Sequence, residues 1–381
     1  MTQDLTAVIP VLLAQGLVTL RQRAIMPRLV SRAFELAPGI KGSTVNVPIA
    51  SAVPATDVNP SATLGGGTDL APTSIAIVCD QWKEAAFVLS DKEVLEAMDG
   101  TIPMQAGEAI KSLANAVDAY LWAFYKAVGG YHGTAGTTPF ASDVTAFTGA
   151  RKVMAKRLCD NDPRYFVMDP DAEANALALA AFRDIAQSGD LGIISDGVIG
   201  RKYGAIWLMS QNVPTHTAGT ITTGLICKAA TAVVAGLKAF TFTTAGSTGA
   251  CALLKGDIIA IAGHTKTYAL AANVTQASAA TDIAVTITEG LEKALAGSEA
   301  VTVKASHVVN LAFHRDAFAF ASRPLESVGM GLGNFQSAVD PVSGIVLRLE
   351  VERQNKRTRW SYDILYGGQC IRPEFACRVA G

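Results

Sequence analysis

The chain of 381 residues is longer than one hydrophobic core usually fills, which favours two or three domains. Half of its residues are hydrophobic, but only 7% are aromatic and 17% charged; the apolar content rests on Ala, Val, Leu and Ile, and the sparse charge points to buried subunit contacts. A formal net charge of -1 excludes a global field able to hold nucleic acid, so any contact with DNA is expected to be weak and local.

From Thr6 to Phe34 the pattern is helical, with Leu12, Leu13, Leu17, Leu20 and Ile25 on one side and Arg21, Arg23, Arg28 and Arg32 gathered towards the end. Pro10 and Pro27 interrupt it, and the segment reads as an arm that packs on a neighbouring subunit. The apolar run Ala7 to Ala14 is too short to span a bilayer and follows Asp4 instead of a basic segment, so synthesis and residence in the cytosol are expected. Pro38 to Pro72 changes character. Pro, Gly, Ser, Thr and Asp dominate there, around one short strand, Ser43 to Ile49. The run Gly65-Gly66-Gly67 lacks the following Lys-Ser/Thr of a phosphate loop. A loop of this length fits a segment ordered against another subunit. Asp57 and Asp69 have no basic partner nearby in the loop, whose one basic residue is Lys41, and are expected to meet basic groups on a second copy.

Strand-like runs follow at Ile75 to Val78 and Ala85 to Leu89, and Ser90 with Glu93 forms a capping box for a short helix to Met98. Thr101 to Gly130 is the clearest long helix in the chain. Ala106, Ile110, Leu113, Val117, Tyr120, Phe124 and Val128 recur every three or four positions, opposite Glu108, Lys111, Asn115 and Lys126. Pro103 suits the first turn and Gly129-Gly130 the exit. Its buried face is expected against a hairpin near the C-terminus. Trp122 falls among the polar positions, where a large ring suggests contact with a neighbour or with the arm.

Beyond the helix, Ser142-Asp143 opens another helix to Leu158, Tyr165 to Met168 reads as a strand, and Ala172 to Gln187 as an alanine-rich helix. Asp160, Asp162, Asp169 and Asp171 lack the spacing of a calcium loop, and Asp169 or Asp171 stands where an N-cap belongs. Ala205 to Met209 is a further strand. From Thr215 onward, short Thr/Val/Ile/Ala runs at Ala239 to Thr244, Asp257 to Ala262, Thr267 to Leu270, Ile283 to Thr288 and Ala300 to Val303 are separated by Gly, Ser and Asn. Strands at this spacing make a small barrel or sandwich, inserted into the main body. Asn310 to Ala321 fits either period. Ile345 to Val351 and Trp360 to Ile364 alternate around a turn at Gln354 to Lys356, a long antiparallel hairpin with one buried and one charged face.

Chemistry is sparse. The six cysteines are scattered without a C-x-x-C pair, which suits buried thiols better than a structural metal. The five histidines lie in no H-E-x-x-H motif, and no G-x-S-x-G elbow occurs. His314-Arg315-Asp316 is the most reactive-looking trio, read first as a cap or a local pair. The residues therefore suggest no catalytic site, no cofactor and no metal. The alternative is a cytosolic hydrolase with an appended β binding domain, using His314 or His216 with Asp316.

Five segments together resemble the major coat proteins of tailed bacteriophages, in the short-tailed-phage group that carries an inserted β domain. They are Gly42 to Ile49, Gln81 to Glu84 with Leu89 to Glu93, Gln211 to Thr217, Asn310 to Phe318, and Ser361 to Gly367. The resemblance implies an α+β capsid fold: an N-terminal arm (1-37), an extended loop (38-74), a peripheral domain built on a long spine helix (75-138 and 338-381), an axial domain (139-214 and 310-337) and an inserted β domain (215-309). It also implies self-assembly into pentamers and hexamers of an icosahedral shell, scaffolding and portal partners, non-specific contact with packaged DNA on the inner face, and no membrane. The expected location is the virion, assembled in the host cytoplasm. Asp57, Asp69 and Trp122 are the expected intersubunit contacts.

Overall fold

The computed structural model describes residues 42–49, 73–92, 101–184, 196–221, 224–228, 233–244, 251–276, 282–325 and 334–381, short pieces within 13–18 and 24–32, and residues 55 and 57. The chain divides into two compact units. One comprises Met1–Arg21, Arg32–Leu113 and Phe320–Gln369; the other comprises Gln22–Ser31, Ala114–Ala319 and Cys370–Gly381.

Three strands open the first unit: β1 (Ser43–Ile49), β2 (Thr73–Cys79) and β3 (Gln81–Ser90). β1 and β2 form a two-stranded antiparallel ladder running from Ser43↔Cys79 to Ile49↔Thr73. β3 begins four residues before the strand-like run expected from Ala85, at Gln81, because all ten of its residues find partners on a later strand. Ser90 closes that strand and the expected capping box, with most of its helix, lies outside the described residues.

In the arm, α1 (Met26–Leu29) is a single turn whose Met26, Pro27 and Leu29 are buried. The described residues of the arm dock on their own chain. Ser31 N donates to Phe318 O at 3.1 Å. Earlier in the arm, a Cβ on Gly16 would come 2.5 Å from Ile110 Cδ1 and 3.4 Å from Leu347 Cδ2, so the backbone there runs tight between the long helix and the hairpin.

The long helix, α2 (Thr101–Trp122), tightens into a 3-10 turn at Ala123–Ala127 and gives way to β4 (Gly130–Gly133), eight residues short of the expected helical end. Its buried face is Ala106, Ile110, Leu113, Ala114, Val117, Leu121 and Trp122, continued by Tyr125 and Val128. Tyr120 and Phe124 are only half-buried and meet each other edge to face at 5.1 Å. The apolar stripe is therefore rotated from the expected one. Two aromatic pairs at helical spacing competed for the core, and the pair beside buried Asp118 took it.

The second unit holds α3 (Thr145–Lys156), β5 (Arg164–Met168), α4 (Pro170–Ala178), α5 (Ala180–Arg183), β6 (Arg201–Lys202), β7 (Ala205–Met209) and β8 (Thr215–His216). The alanine-rich helix is thus broken at Leu179, whose extended backbone separates α4 from α5. Asp169 is the N-cap residue of α4, with Pro170 following it and Asp171 and Glu173 in the first turn, where the helix dipole favours acids.

Eight short strands then run from residue 225 to 303: β9 (Leu225–Cys227), β10 (Ala239–Thr244), β11 (Cys251–Leu253), β12 (Ile258–Ile261), β13 (Thr267–Ala269), β14 (Val274–Gln276), β15 (Ile283–Thr286) and β16 (Ala300–Val303). Six of them pair in the order β13-β12-β16-β9-β10-β15, while β11 and β14, which flank β12 and β13 in the chain, make a separate two-stranded antiparallel sheet. The two outer strands meet through Ala271 N to Thr286 O at 2.8 Å and Thr288 N to Ala269 O at 3.0 Å, closing the sheet into a barrel. Phe242, Ile259, Tyr268, Leu270, Val285 and Val301 fill it.

The remaining strands are β17 (His307–His314), β18 (Phe318–Ser322), β19 (Asn334–Val339), β20 (Val346–Gln354), β21 (Arg357–Cys370) and β22 (Ala376–Ala380). In the second unit, β4-β22-β17-β5-β7-β6 make a mixed sheet, and β8 pairs with β17 where the barrel segment leaves and returns. In the first unit, β3, β21, β20 and β19 are antiparallel neighbours. The β20–β21 hairpin has a two-residue turn with Asn355 and Lys356 at φ 50° and 61°, the left-handed pair that a right-twisted hairpin requires.

Candidate functional site: buried clamps and exposed sheet edges

Sheet register explains why charged groups collect beneath the barrel. Tyr131 on β4 lies beside Arg378 on β22, and His307 on β17 lies opposite His216 on β8. Strand alternation then points Arg378 and His307 to one face, with the barrel loop Leu254–Asp257 against it. Asp257 is wholly buried and satisfied: it accepts from Leu254 N at 2.7 Å and Gly219 N at 3.2 Å, and meets His216 Nε2 at 2.9 Å. The other ring nitrogen of His216 lies 3.1 Å from Tyr125 Oη. Arg378 donates to Gly256 O at 2.8 Å and stacks 4.9 Å from the centre of the Tyr125 ring. Burial pulls its guanidinium down to about 9, which leaves it charged at neutral pH. His307 directs Nδ1 at Ala305 O, 2.8 Å away, which assigns its proton to that nitrogen; burial pulls its pKa down to about 4.

A second clamp sits at the other side of the barrel foot. Arg157, at the end of α3, donates to Glu289 Oε1 at 2.5 Å and to Thr267 O at 2.8 Å, and Thr267 Oγ1 donates to Gly129 O at 2.6 Å. Burial raises the Glu289 carboxyl above its usual range, opposed by Arg157. A third clamp centres on Asp118, which accepts from Met26 N at 2.8 Å, Asn212 Nδ2 at 3.0 Å and Ser210 Oγ at 3.4 Å. It ties the arm, the second half of α2 and the segment after β7 at one buried carboxylate.

Asp257, His216 and Tyr125 line up as an orienting acid, a base and a hydroxyl would in an acyl-transfer site. All three are buried, so the array holds the barrel in place and offers a substrate no approach. Asp316, the partner expected for His216, is elsewhere. Its amide donates to His314 Nδ1 at 3.3 Å in a 3-10 turn, and the His314 ring packs edge-on to Phe375. That is the local capping read from the trio. Among the described residues no group of three His, Cys, Asp or Glu could hold a metal ion, and no helix is long and apolar enough to cross a membrane.

Of the residues expected at subunit contacts, Asp57 is exposed and Asp69 lies outside the described residues. Trp122 is corrected: at 1% exposure it is a core ring, because the rotated stripe of α2 carries it inward, and it has no surface to offer a neighbour. Sequence reasoning missed Arg157, Asp257 and Arg378. The signal was thin: Arg378 is a lone charge in an apolar stretch, Asp257 follows Lys255 in a turn-like Lys-Gly-Asp, and Arg157 is one of several charges with Arg151, Lys152 and Lys156.

The charged face expected for the β20–β21 hairpin is the outer face of the first unit's sheet, and its apolar margins were not anticipated. Register aligns Ser337, Arg348, Asp363 and Glu84 in one row and Phe335, Glu350, Ser361 and Ala86 in the next. Arg348 binds Asp363 in a two-pronged pair at 2.8 and 2.6 Å, Trp82 Nε1 donates to the same carboxylate at 2.8 Å, and Arg359 pairs with Glu84. Charge fills the middle of this face. Apolar side chains sit at both margins: Trp82 and Val88 on β3, 49% and 50% exposed, and Phe335 and Val339 on β19, 49% and 44% exposed.

No protein-family model matches the chain, and no curated protein matches it in sequence. Solved structures do match in fold. One from Mycobacterium phage Che8 is 15% identical with a TM-score of 0.50, covering 93% of this chain and 90% of its own. The capsid structure of cyanophage P-SCSP1u is 13% identical with a TM-score of 0.50, covering 94% and 88%. The chain has the α+β fold of tailed-phage capsid subunits.

Proposed function

We propose, from the capsid fold that the chain carries over nearly its whole length, that it is the major capsid protein of a tailed bacteriophage. Copies assemble through pentamers and hexamers into an icosahedral shell around phage DNA, with scaffolding and portal proteins as partners and non-specific DNA contact on the inner face. Assembly takes place in the host cytoplasm, and the product is the virion head. The observation that carries this reading is the end-to-end fold match to a cyanophage capsid structure. The division into arm, extended loop, peripheral, axial and inserted domains belongs to the same proposal.

The mechanism is geometric. Each copy presents complementary surfaces whose rotation closes a ring, and many weak contacts sum to a durable shell while single contacts stay reversible. Clamped buried charges suit that task, since they fix the barrel and the sheet without using the surface. The test is electron microscopy of the purified protein under assembly conditions. Closed particles or capsomers are expected; an inert monomer under every condition overturns the reading. Within it, reversing the charge of both Asp57 and Asp69 weakens assembly and leaves helix content unchanged, and unaltered assembly removes those two residues from the interface.

A further inference from the structure

The antiparallel sheet of the first unit, in which β18 also pairs with β21, has β19 and β3 as long edge strands. Among the described residues, β19 pairs only with β20, and β3 pairs only with β21. Unpaired edges are normally blunted by Lys, Pro, a bulge or a covering segment. β19, Asn-Phe-Gln-Ser-Ala-Val, has no charged residue and no proline, and Phe335, Gln336, Ser337 and Val339 are all exposed. β3 has its charges at Lys83 and Glu84 and runs uncharged from Ala85 to Ser90, a stretch as long as β19.

The two edges also match each other. With four alternating strands, β19 runs opposite to β3, so a second copy placed edge to edge and facing the same way brings its β3 alongside β19 in antiparallel sense. The same placement joins the two apolar margins, Phe335 and Val339 of one copy with Trp82 and Val88 of the next, on one face of the combined sheet. Pairing β19 with β19 would leave every β3 edge open; pairing β19 with β3 uses both edges and is head-to-tail, the arrangement that closes rings.

We propose that Asn334–Val339 of one copy adds to Gln81–Ser90 of the next as an antiparallel strand, so that the sheet continues from subunit to subunit. This rests on the capsid reading, since it needs many copies in one assembly. The partner is a second copy of this chain, recognised by main-chain hydrogen bonds and by the two apolar rows.

Disulfide trapping tests it. Within one chain Ser337 and Ala86 are separated by three strand spacings, about 14 Å, too far for a disulfide. A bond formed in S337C/A86C, or in S337C/V88C if the register is shifted, therefore joins two copies. Assembled particles of one of these double variants are expected to give a ladder of dimers, trimers and longer products on mild oxidation, which each single variant lacks. Particles that form normally but give no ladder with either pair overturn this inference and leave the capsid reading standing. Dimers from S337C alone replace it with β19-to-β19 pairing. Failure of the unmodified chain to form particles overturns the capsid reading and this inference together. Circular dichroism of each variant before assembly verifies that it folds.

Discussion

Replacing Arg157 with Leu exposes how the barrel foot is held. The side chain is 2% exposed and its partner Glu289 10%, so the change removes a buried pair and strands a carboxylate. Breaking such a pair from one side costs roughly 3–5 kcal/mol. Urea unfolding with a slope of about 3 kcal/mol per molar would register that as a midpoint lower by roughly 1–1.7 M. The double variant R157L/E289L removes both charges and is expected to lose clearly less than the sum of the single losses, with a coupling of at least about 1 kcal/mol. The loss depends on pH. Burial already raises the Glu289 pKa, and without Arg157 it rises further; such a group is harmless below its unfolded value near 4.5 and destabilising as pH climbs through the folded one. The deficit of R157L is therefore smallest near pH 4 and widens towards neutrality. Additive single and double variants, or a deficit that does not change with pH, would refute the account of a buried clamp.

Trp122→Ala should cost about 3–5 kcal/mol in the unassembled chain, measured by chemical denaturation, because the ring is in the core; a loss confined to assembly would restore it to the surface. His307 titrates at about 4 in the fold against about 6.5 unfolded, so the unfolded chain takes up a proton first as pH falls. Stability should fall by up to about 3 kcal/mol between pH 6.5 and 4, and His307→Leu should flatten that slope. Lys356→Gly should raise stability by about 0.5–1 kcal/mol, since the φ of 61° strains any residue with a Cβ, and an unchanged or lower urea midpoint would count against the turn geometry. Gly149→Ala would put a Cβ 1.9 Å from His132 Nε2, so a loss of about 1–3 kcal/mol is expected in the same assay.

Elements with strong periodicity were legible in the residues. The β20–β21 hairpin alternates cleanly because one face is buried, and its Asn355-Lys356 turn lies inside the expected one. The barrel strands Ala239–Thr244 and Ala300–Val303 match their Thr/Val-rich runs, whereas Leu225–Cys227, Cys251–Leu253 and Val274–Gln276 are too short to carry a period. The phase of α2 was misread because Tyr120 and Phe124 are as apolar as Leu121, Trp122 and Tyr125; only the three-dimensional partner of Asp118 decides between them. The clamps were illegible for a related reason. Asp257 needs His216, 41 residues away, and Arg157 needs Glu289, 132 away, and no local pattern reports pairs at that separation. The C-terminal strand Ala376–Ala380 hides an arginine at its centre, which reads as solvent-facing until Tyr125 and Gly256 are folded against it.

The point where the barrel segment leaves the sheet is also the point to which it returns: His216 sits opposite His307, and Thr215 opposite Val308. Paired residues of this kind stand about 5 Å apart. A hairpin of a few residues could bridge that gap, so the barrel is a removable cassette on a two-residue stem. Foreign domains whose own termini lie close together should graft there without altering the path of the strands below, provided that Tyr125 and Arg378 receive new partners or apolar replacements.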